Sequence, residues 1–290
     1  MNDLERIRTG AVGLKVEPEL LTLFSAGREE EMQIPTREGE THVFVYYPKE
    51  EQEQYPLFIN LHGGGFVKGH REQDLVFCRN ICQNAGCMVV DIDYKTAPEK
   101  MYPYALFECY DVTKYLWDHA EEWKLDRKRF VMGGHSAGGN LTLGTAILSG
   151  HQKEFELSGI ICDYPAVDLD TDPAKKRFGN DPTIRPPIAD ARMYNDWYIA
   201  PERRRESTAS PVYAADEELA ALPPVLMITA GHDMLGEEAE KLVYRMLEVG
   251  TTVIAKRVMG ADHGFIVRRK PGFEQGEELI FAFLKNRFEK

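Results

Sequence analysis

The sequence predicts an α/β fold with a mostly parallel central sheet and helices on both faces. Strand-like and helix-like segments alternate along the chain, which is typical of parallel sheets whose connections are helices. Most strand-like segments are short, continuous apolar runs, as expected for strands buried on both faces. With 290 residues the chain can bury a large core, and we expect one domain over residues 1–290.

Seven segments have the apolar and β-branched composition of strands. In chain order they are Thr41–Tyr47, Pro56–Leu61, Cys87–Asp93, Arg129–Met132, Ser158–Cys162, Val225–Ala230 and Thr252–Val258. Five segments have the residue spacing and composition of helices. They lie near Glu72–Ala85, Tyr104–Glu121, Gly138–Leu148, Glu237–Glu248 and Glu274–Asn286.

The segment between Asp163 and Pro224 interrupts this alternation. It lacks a strand-like run and is rich in proline and aromatic residues, including Trp197 and Tyr198. Long insertions in compact domains often form lids over functional sites. We therefore expect a helical cap built from about residues 165–210. Trp197 and Tyr198 could contact a substrate or could simply anchor the cap on the core.

A Gly-His-Ser-Ala-Gly sequence at residues 134–138 separates a strand-like run from a helix-like run. At such a junction, Gly-x-Ser-x-Gly is typical of a nucleophile elbow, a turn so tight that the flanking residues must have almost no side chain. The Ser136 hydroxyl would then project above the sheet as a nucleophile. The amide of Ala137, at the start of the following helix, would face a developing oxyanion.

A serine nucleophile requires a histidine base, which an acid in turn orients. On α/β sheets of this type, the three follow one another as Ser, Asp or Glu, and His. Three histidines follow Ser136. His263 lies in a loop beyond the strand-like run 252–258, whereas His151 lies just after the elbow helix and reads as a solvated loop residue.

Asp233 is the favoured acid because it lies at the carboxyl end of the strand-like run 225–230, where open α/β sheets place their chemistry. It could alternatively cap the helix that begins near Leu235. Asp262 is closer to His263 in sequence, but adjacent loop residues rarely point the same way. The sequence therefore predicts Ser136, Asp233 and His263 as a catalytic triad.

The glycine triplet at residues 63–65 follows the strand-like run 56–61. Three consecutive glycines are unfavourable for conformational entropy, so a role of the backbone is expected. In a hydrolase such a loop brings amide groups close to a substrate oxygen. A plain flexible turn is the alternative.

These motifs together resemble the hormone-sensitive-lipase family of α/β-hydrolases, which includes bacterial carboxylesterases and is similar to arylacetamide deacetylase. The resemblance covers about residues 40–285 and rests on an ordered set of motifs. They are His62-Gly63-Gly64-Gly65-Phe66-Val67, Asp93-Tyr94-Lys95-Thr96-Ala97-Pro98-Glu99, Tyr102-Pro103, the elbow, Ser210-Pro211, Leu222-Pro223-Pro224, Asp233 and His263-Gly264-Phe265.

The resemblance implies an α/β-hydrolase fold with a helical cap, to which about residues 1–35 also contribute through an amphipathic segment at Leu14–Phe24. It implies that Gly64, Gly65 and Ala137 form the oxyanion hole, and that Asp233 and His263 act as acid and base. It implies a serine carboxylesterase for short-chain acyl esters, with no metal or organic cofactor. Hydrolysis of amides, as in an arylformamidase, is the alternative; a non-catalytic small-molecule receptor is a more distant one.

Two positions depart from the family pattern. The family usually carries an acid immediately before the serine, where this chain has His135, a feature shared with arylformamidases. The family's tyrosine-arginine-leucine before Ala-Pro-Glu is Tyr94-Lys95-Thr96 here, so an ion pair of that arginine is weakened or lost. Both changes indicate a divergent branch.

The net charge of −12 argues against binding to nucleic acid or to anionic membranes. The sequence has no apolar run long enough to span a bilayer and no visible signal peptide, and its five cysteines lack a Cys-x-x-Cys pair. We therefore expect a cytoplasmic protein with free thiols and a small-molecule ester as its partner. A homodimer is left open.

Overall fold

The computed structural model describes residues 2–10 and 15–289. In these residues eight strands form one sheet, in the order β1-β2-β4-β3-β5-β6-β7-β8. The strands are β1 (Arg28–Thr36), β2 (Gly39–Tyr47), β3 (Tyr55–Leu61), β4 (Met88–Asp93), β5 (Leu125–His135), β6 (Gly159–Asp163), β7 (Val225–His232) and β8 (Val253–Asp262). Only β2 pairs antiparallel, with β1 and β4, so the predicted mostly parallel sheet is confirmed.

The helices in the same ranges are α1 (Asp3–Arg8), α2 (Pro18–Leu21), α3 (Glu72–Ala85), α4 (Tyr104–Asp118), α5 (Ala137–Gln152), α6 (Ile188–Tyr198), α7 (Asp216–Ala220), α8 (Gly236–Glu248) and α9 (Phe273–Phe288).

The sheet divides the hydrophobic core into two layers. Helices α4, α5 and α8 pack on one face with Leu57 and Ile59 of β3, and α3 and α9 pack on the other with Phe58. The alternating side chains of β3 therefore contact different layers.

The edge strand β1 was not predicted, and the assignment of residues up to about 35 to the cap is wrong for their last part. Residues 28–36 pair with β2 along its whole length. Their sequence, Arg-Glu-Glu-Glu-Met-Gln-Ile-Pro-Thr, lacks an apolar run because one edge of this strand is unpaired, and only Ile34 is buried. Charged residues on an edge strand also discourage pairing with another chain.

The insertion between β6 and β7 contains α6, α7 and three short 3₁₀ turns. Tyr198 of α6 is buried and stacks on Phe66 with ring centroids 3.7 Å apart, so it anchors the insertion on the core. Helix α1 reaches the same region, because Arg6 forms an ion pair of 2.8 Å with Asp190 of α6. Of the predicted segment 14–24, residue 14 lies outside the described residues and α2 covers 18–21. That the insertion acts as a cap stays a prediction.

All five cysteines of the chain are buried and free, as expected for structural thiols. Across residues 2–10 and 15–289, no helix combines the length and apolar character needed to cross a bilayer.

Candidate active site

The serine at residue 136 lies in a sharp turn between the end of β5 and the start of α5. Its φ and ψ angles are 56° and −111°, a strained conformation for a residue with a side chain. A Cβ on Gly134 would lie 2.4 Å from the carbonyl carbon of Gly138, and one on Gly138 would lie 1.9 Å from the carbonyl oxygen of Leu61. Both glycines are therefore sterically required, as the elbow motif predicts.

The structure brings Ser136, His263 and Asp233 together. Nε2 of His263 lies 2.9 Å from Oγ of Ser136, and Nδ1 of His263 lies 2.7 Å from Oδ2 of Asp233. Asp233 follows β7 directly and His263 follows the neighbouring strand β8, which explains their proximity. The buried Asp233 carboxylate also accepts the Leu235 amide at 3.0 Å, so it both starts the helical turn before α8 and orients the imidazole.

Asp262 makes a different pair. Its Oδ1 lies 2.8 Å from Nδ1 of His232, whose Nε2 lies 2.9 Å from Asp181 in the insertion. Hydrogen bonds to Asp181 and then Asp262 raise the pKa of His232. The side chain of Asp262 is 72% exposed and points away from His263. His151 pairs with Glu218 at 2.8 Å on the surface.

The glycine loop lies against the elbow. A Cβ on Gly63 would lie 3.6 Å from Cβ of Ser136. Gly64 and Gly65 have φ angles of 124° and 63°, which favour glycine, and a Cβ on Gly65 would lie 2.7 Å from the ring of Tyr194 in α6. The loop therefore needs glycine both for its backbone conformation and for its contact with the insertion.

A buried polar cluster that the sequence did not reveal supports this loop from behind. The His62 ring stacks on Tyr94 at 4.1 Å, and the Tyr94 hydroxyl donates to the His62 carbonyl at 2.8 Å. His70 lies 2.9 Å from Asp91, which also accepts the Asn60 amide. Burial lowers the pKa of His70, but the Asp91 carboxylate outweighs it, and the pKa rises to about 9. The sequence does contain one signal of this cluster, because Asn60 and Asp91 are polar residues within strands that are otherwise apolar.

His135 has a structural partner in the neighbouring strand. Its Nδ1 lies 3.0 Å from Oδ2 of Asp163 at the end of β6, and its ring packs edge-on against Phe77. Burial raises the pKa of the Asp163 carboxyl. The main-chain carbonyl of Asp163 accepts the Ser136 amide at 2.9 Å. The pair therefore sits directly behind the elbow.

A cavity of about 430 Å³ opens over Ser136 and His263. Gly64, Gly65 and Ala137 line it together with the serine, and Ala137 is the first residue of α5. The lining includes Tyr194 of α6 and Arg6 of α1, but neither Trp197 nor Tyr198 is among the described residues that line it. Within residues 2–10 and 15–289 no cluster of His, Cys, Asp and Glu could hold a metal ion.

Comparisons with known proteins identify the fold family of the chain. Residues 58–267 match the family model described as an alpha/beta hydrolase fold. An arylesterase from Saccharolobus solfataricus is 29% identical over 267 residues, which cover 90% of this chain and 84% of that protein. An α/β-hydrolase from Acanthamoeba polyphaga mimivirus is 27% identical over 225 residues, 77% of this chain, and the chain spans only 64% of its length.

Among solved structures, a hyperthermophilic esterase from the archaeon Pyrobaculum calidifontis superposes with a TM-score of 0.87. It is 30% identical, and the match covers 98% of this chain and 93% of that one. The family model covers most of the chain, and the residues of the elbow and of the glycine loop lie within it. The chain therefore belongs to the hormone-sensitive-lipase family of α/β-hydrolases, a family of carboxylic ester hydrolases.

Proposed function

We propose that the protein is a serine carboxylesterase that hydrolyses short-chain acyl esters of small molecules. One observation carries this proposal: the hydrogen-bonded series Ser136–His263–Asp233 opens into the same cavity as the glycine loop. A nucleophile, an oriented base and flexible amide donors around one cavity are the parts that acyl transfer requires. The arylesterase and the archaeal esterase support the choice of an ester bond.

In the proposed mechanism, Nε2 of His263 accepts the proton of Ser136 as Oγ attacks the ester carbonyl carbon. Asp233 holds the imidazole in the tautomer that leaves Nε2 free and stabilises the imidazolium that forms. The carbonyl oxygen becomes an oxyanion, which we assign to the amides of Gly64, Gly65 and Ala137. The C–O bond then breaks, and His263 gives its proton to the departing alcohol.

The second half of the reaction uses the same groups. Water gives a proton to His263 as it attacks the acyl-serine carbonyl, and the collapse of this second oxyanion returns the proton to Ser136 and frees the acid. Ser136, His263 and the three assigned amide donors line the cavity, and Asp233 lies behind His263.

A short acyl chain fits the lining of the cavity. Besides Phe66, Tyr164 and Tyr194, the described part of the chain lines it with six cationic side chains: Arg6, Lys68, Arg71, Lys176, Arg185 and Arg268. Each methylene that packs on apolar surface contributes up to about 0.8 kcal/mol, but a methylene that displaces water from a cation gives no such gain. We therefore expect turnover of acyl groups of about two to eight carbons.

The proposal is tested by measuring kcat/KM for acetate, butyrate, octanoate and palmitate esters with the wild type and Ser136→Ala. The variant should lose on the order of 10⁴- to 10⁶-fold in kcat while keeping the wild-type Tm. A fluorinated organophosphonate should label the wild type and not the variant. A variant that retains a tenth of the wild-type rate would remove Ser136 from the mechanism, and a preference for palmitate would contradict the chain-length argument.

An arylformamidase is the second candidate, because this chain resembles arylformamidases in pairing a histidine, His135, with Ser136-Ala137-Gly138. The same triad would attack a formamide carbonyl, so the geometry alone permits both bonds. Formylkynurenine in the substrate series separates them: a kcat/KM far above every ester would favour the formamidase. A non-catalytic receptor would turn over none of these compounds and would resist the organophosphonate.

We further propose a homodimer through β8, the strand at one end of the sheet. Its residues Ile254 and Met259 are 48% and 73% exposed, and Tyr244 of the neighbouring helix α8 is 71% exposed. Pairing of two β8 edges would cover these apolar side chains. Light scattering after gel filtration tests this state, and Met259→Glu should shift it towards the monomer. A cytoplasmic location remains a prediction from the sequence.

A further inference from the structure

Lys68 is a cationic side chain of the catalytic cavity that forms no ion pair with a carboxylate among the described residues. Lys68 follows the glycine loop and lines the cavity beside Ser136. Its ammonium lies 5.6 Å from the ring centroid of Tyr194, and no carboxylate of residues 2–10 and 15–289 is within 4.0 Å of it. The residues outside these ranges, Met1, 11–14 and Lys290, contain no acidic side chain. Within the described ranges, the cavity thus contains a cation that no carboxylate contacts directly.

The surroundings of Lys68 are also positive. Arg6, Arg71 and Arg268 are close enough to disfavour its charged form, and Asp190 is the acid that opposes them. Asp190 already forms the ion pair with Arg6. Burial, followed by the charge of Arg71, lowers the pKa of Lys68 to about 8. An acidic protein with net charge −12 has therefore concentrated positive charge at this one site.

Lys68 packs against the glycine loop near its backbone. A Cβ on Gly64 would lie 2.8 Å from Cβ of Lys68. The loop itself contacts Ser136 through Gly63. The ammonium and Ser136 face one cavity, so an ester attacked by Ser136 could place an anionic group on Lys68.

We propose that Lys68 selects esters that carry a carboxylate, on either the acyl or the alcohol part, so that hemiesters of short dicarboxylic acids and acylated hydroxy acids are preferred over neutral esters. This rests on the proposed esterase function. A carboxylate would complete the ion pair that Lys68 lacks, and an ion pair in a partly buried cavity is screened less than one on the surface. Unpaired buried charge is unfavourable for folding, which is consistent with a role in binding.

The test uses pairs of esters that differ in charge but have the same shape. Monomethyl succinate is compared with methyl isocaproate, and O-acetyl-β-hydroxypropanoate with isoamyl acetate. The quantity measured is the ratio of kcat/KM for the anionic and the neutral member of each pair. Dividing the wild-type ratio by the variant ratio cancels the intrinsic reactivity of each ester.

Lys68→Met should lower this ratio by about 10- to 100-fold for at least one pair, because a hydrogen bond to a charged group is lost. Lys68→Arg should restore most of it, and the wild-type ratio should fall with added NaCl. Lys128→Met is the matched control, because it removes the same charge from an exposed position of β5 outside the cavity lining. Its ratios should equal those of the wild type.

Unchanged ratios in Lys68→Met for both pairs would overturn the proposal, as would a Lys128→Met variant that lowers them equally. The Tm of Lys68→Met should be equal to or above that of the wild type, since an unpaired charge has been removed. A large fall in Tm would instead make Lys68 a structural residue. Hydrolysis of the neutral esters by the wild type separates this outcome from failure of the esterase proposal, which would leave all four esters intact.

Discussion

Nδ1 of His135 lies 3.0 Å from Oδ2 of Asp163, and both side chains are 2% exposed. The two residues face each other at the ends of the paired strands β5 and β6. Because the Asp163 carbonyl also accepts the Ser136 amide, the pair fixes the backbone on which the serine is strained. The presence of a histidine at residue 135, immediately before Ser136, is thus explained by its pairing with Asp163 on the neighbouring strand β6.

The acid that is usual before the serine in this family should therefore be unfavourable here. His135→Asp would bury two carboxylates beside each other, and we expect a loss of about 3–5 kcal/mol in the free energy of unfolding in urea. Adding Asp163→Asn should recover part of this loss. His135→Gln, which can still donate to Asp163, is the milder control. A His135→Asp variant as stable as the wild type would show that the pair does not support the elbow.

The choice between two carboxylates can be measured directly. Asp233→Asn should lower kcat by roughly 10³- to 10⁴-fold with little change in KM, because the amide favours the wrong imidazole tautomer. Asp262→Asn is the matched control, since this residue contacts His232 instead of His263. Steady-state kinetics with a butyrate ester gives both values. The opposite ranking would mean that Asp262 orients the base.

The glycine loop can be tested against a glycine with the same backbone conformation. Gly65 and Gly86 have φ angles of 63° and 62°, but only Gly65 contacts Tyr194, and Gly86 has open space around it. Alanine at either position should cause similar strain from φ. Only Gly65→Ala should lower kcat, by about 10²- to 10³-fold if an oxyanion donor is displaced. Equal kcat values for the two variants would favour a plain turn.

Stability should depend on the protonation of His70. Its pKa is about 9 in the folded protein and 6.5 ordinarily, so the folded state binds the proton more tightly. The stabilisation by the pair with Asp91 is fully present below pH 6.5 and is lost as the pH rises through 9. We expect a loss of about 1–3 kcal/mol between these values, after allowance for the small exposed part of the ring.

Urea unfolding at several pH values measures this loss. His70→Gln should remove most of the dependence between pH 6.5 and 9. His42→Gln is the matched control, because His42 is more exposed and its carboxylate contacts are longer. If His70→Gln kept the full dependence of the wild type, another group would have to be responsible.

The parts of the fold that followed from the sequence were those with a local cause. Gly134 and Gly138 have no room for a side chain, and the Gly-x-Ser-x-Gly motif therefore contains glycine at both positions. Placement at strand ends correctly put Asp233, and not Asp262, against His263. Their catalytic roles await the experiments above.

The parts that were missed depend on residues distant in sequence. β1 is charged because it lies at an edge, and its identity as a strand comes from pairing with β2. The partner of His135 lies on the next strand, beyond α5. The unpaired state of Lys68 depends on what α1, α6 and the loop after β8 place around it. The spacing of residues along the sequence does not predict contacts between residues that are distant in the chain.

The attachment of α1 to α6 has a practical consequence for engineering. Arg6, Ile7 and Gly10 lie in the cavity wall, although they are far in sequence from every residue that we assign to bond cleavage. Arg8 fastens this segment to the carbonyls of Val67 and Ala97. Substitutions in residues 2–10 can therefore change which esters enter the cavity while the hydrolytic groups stay unchanged.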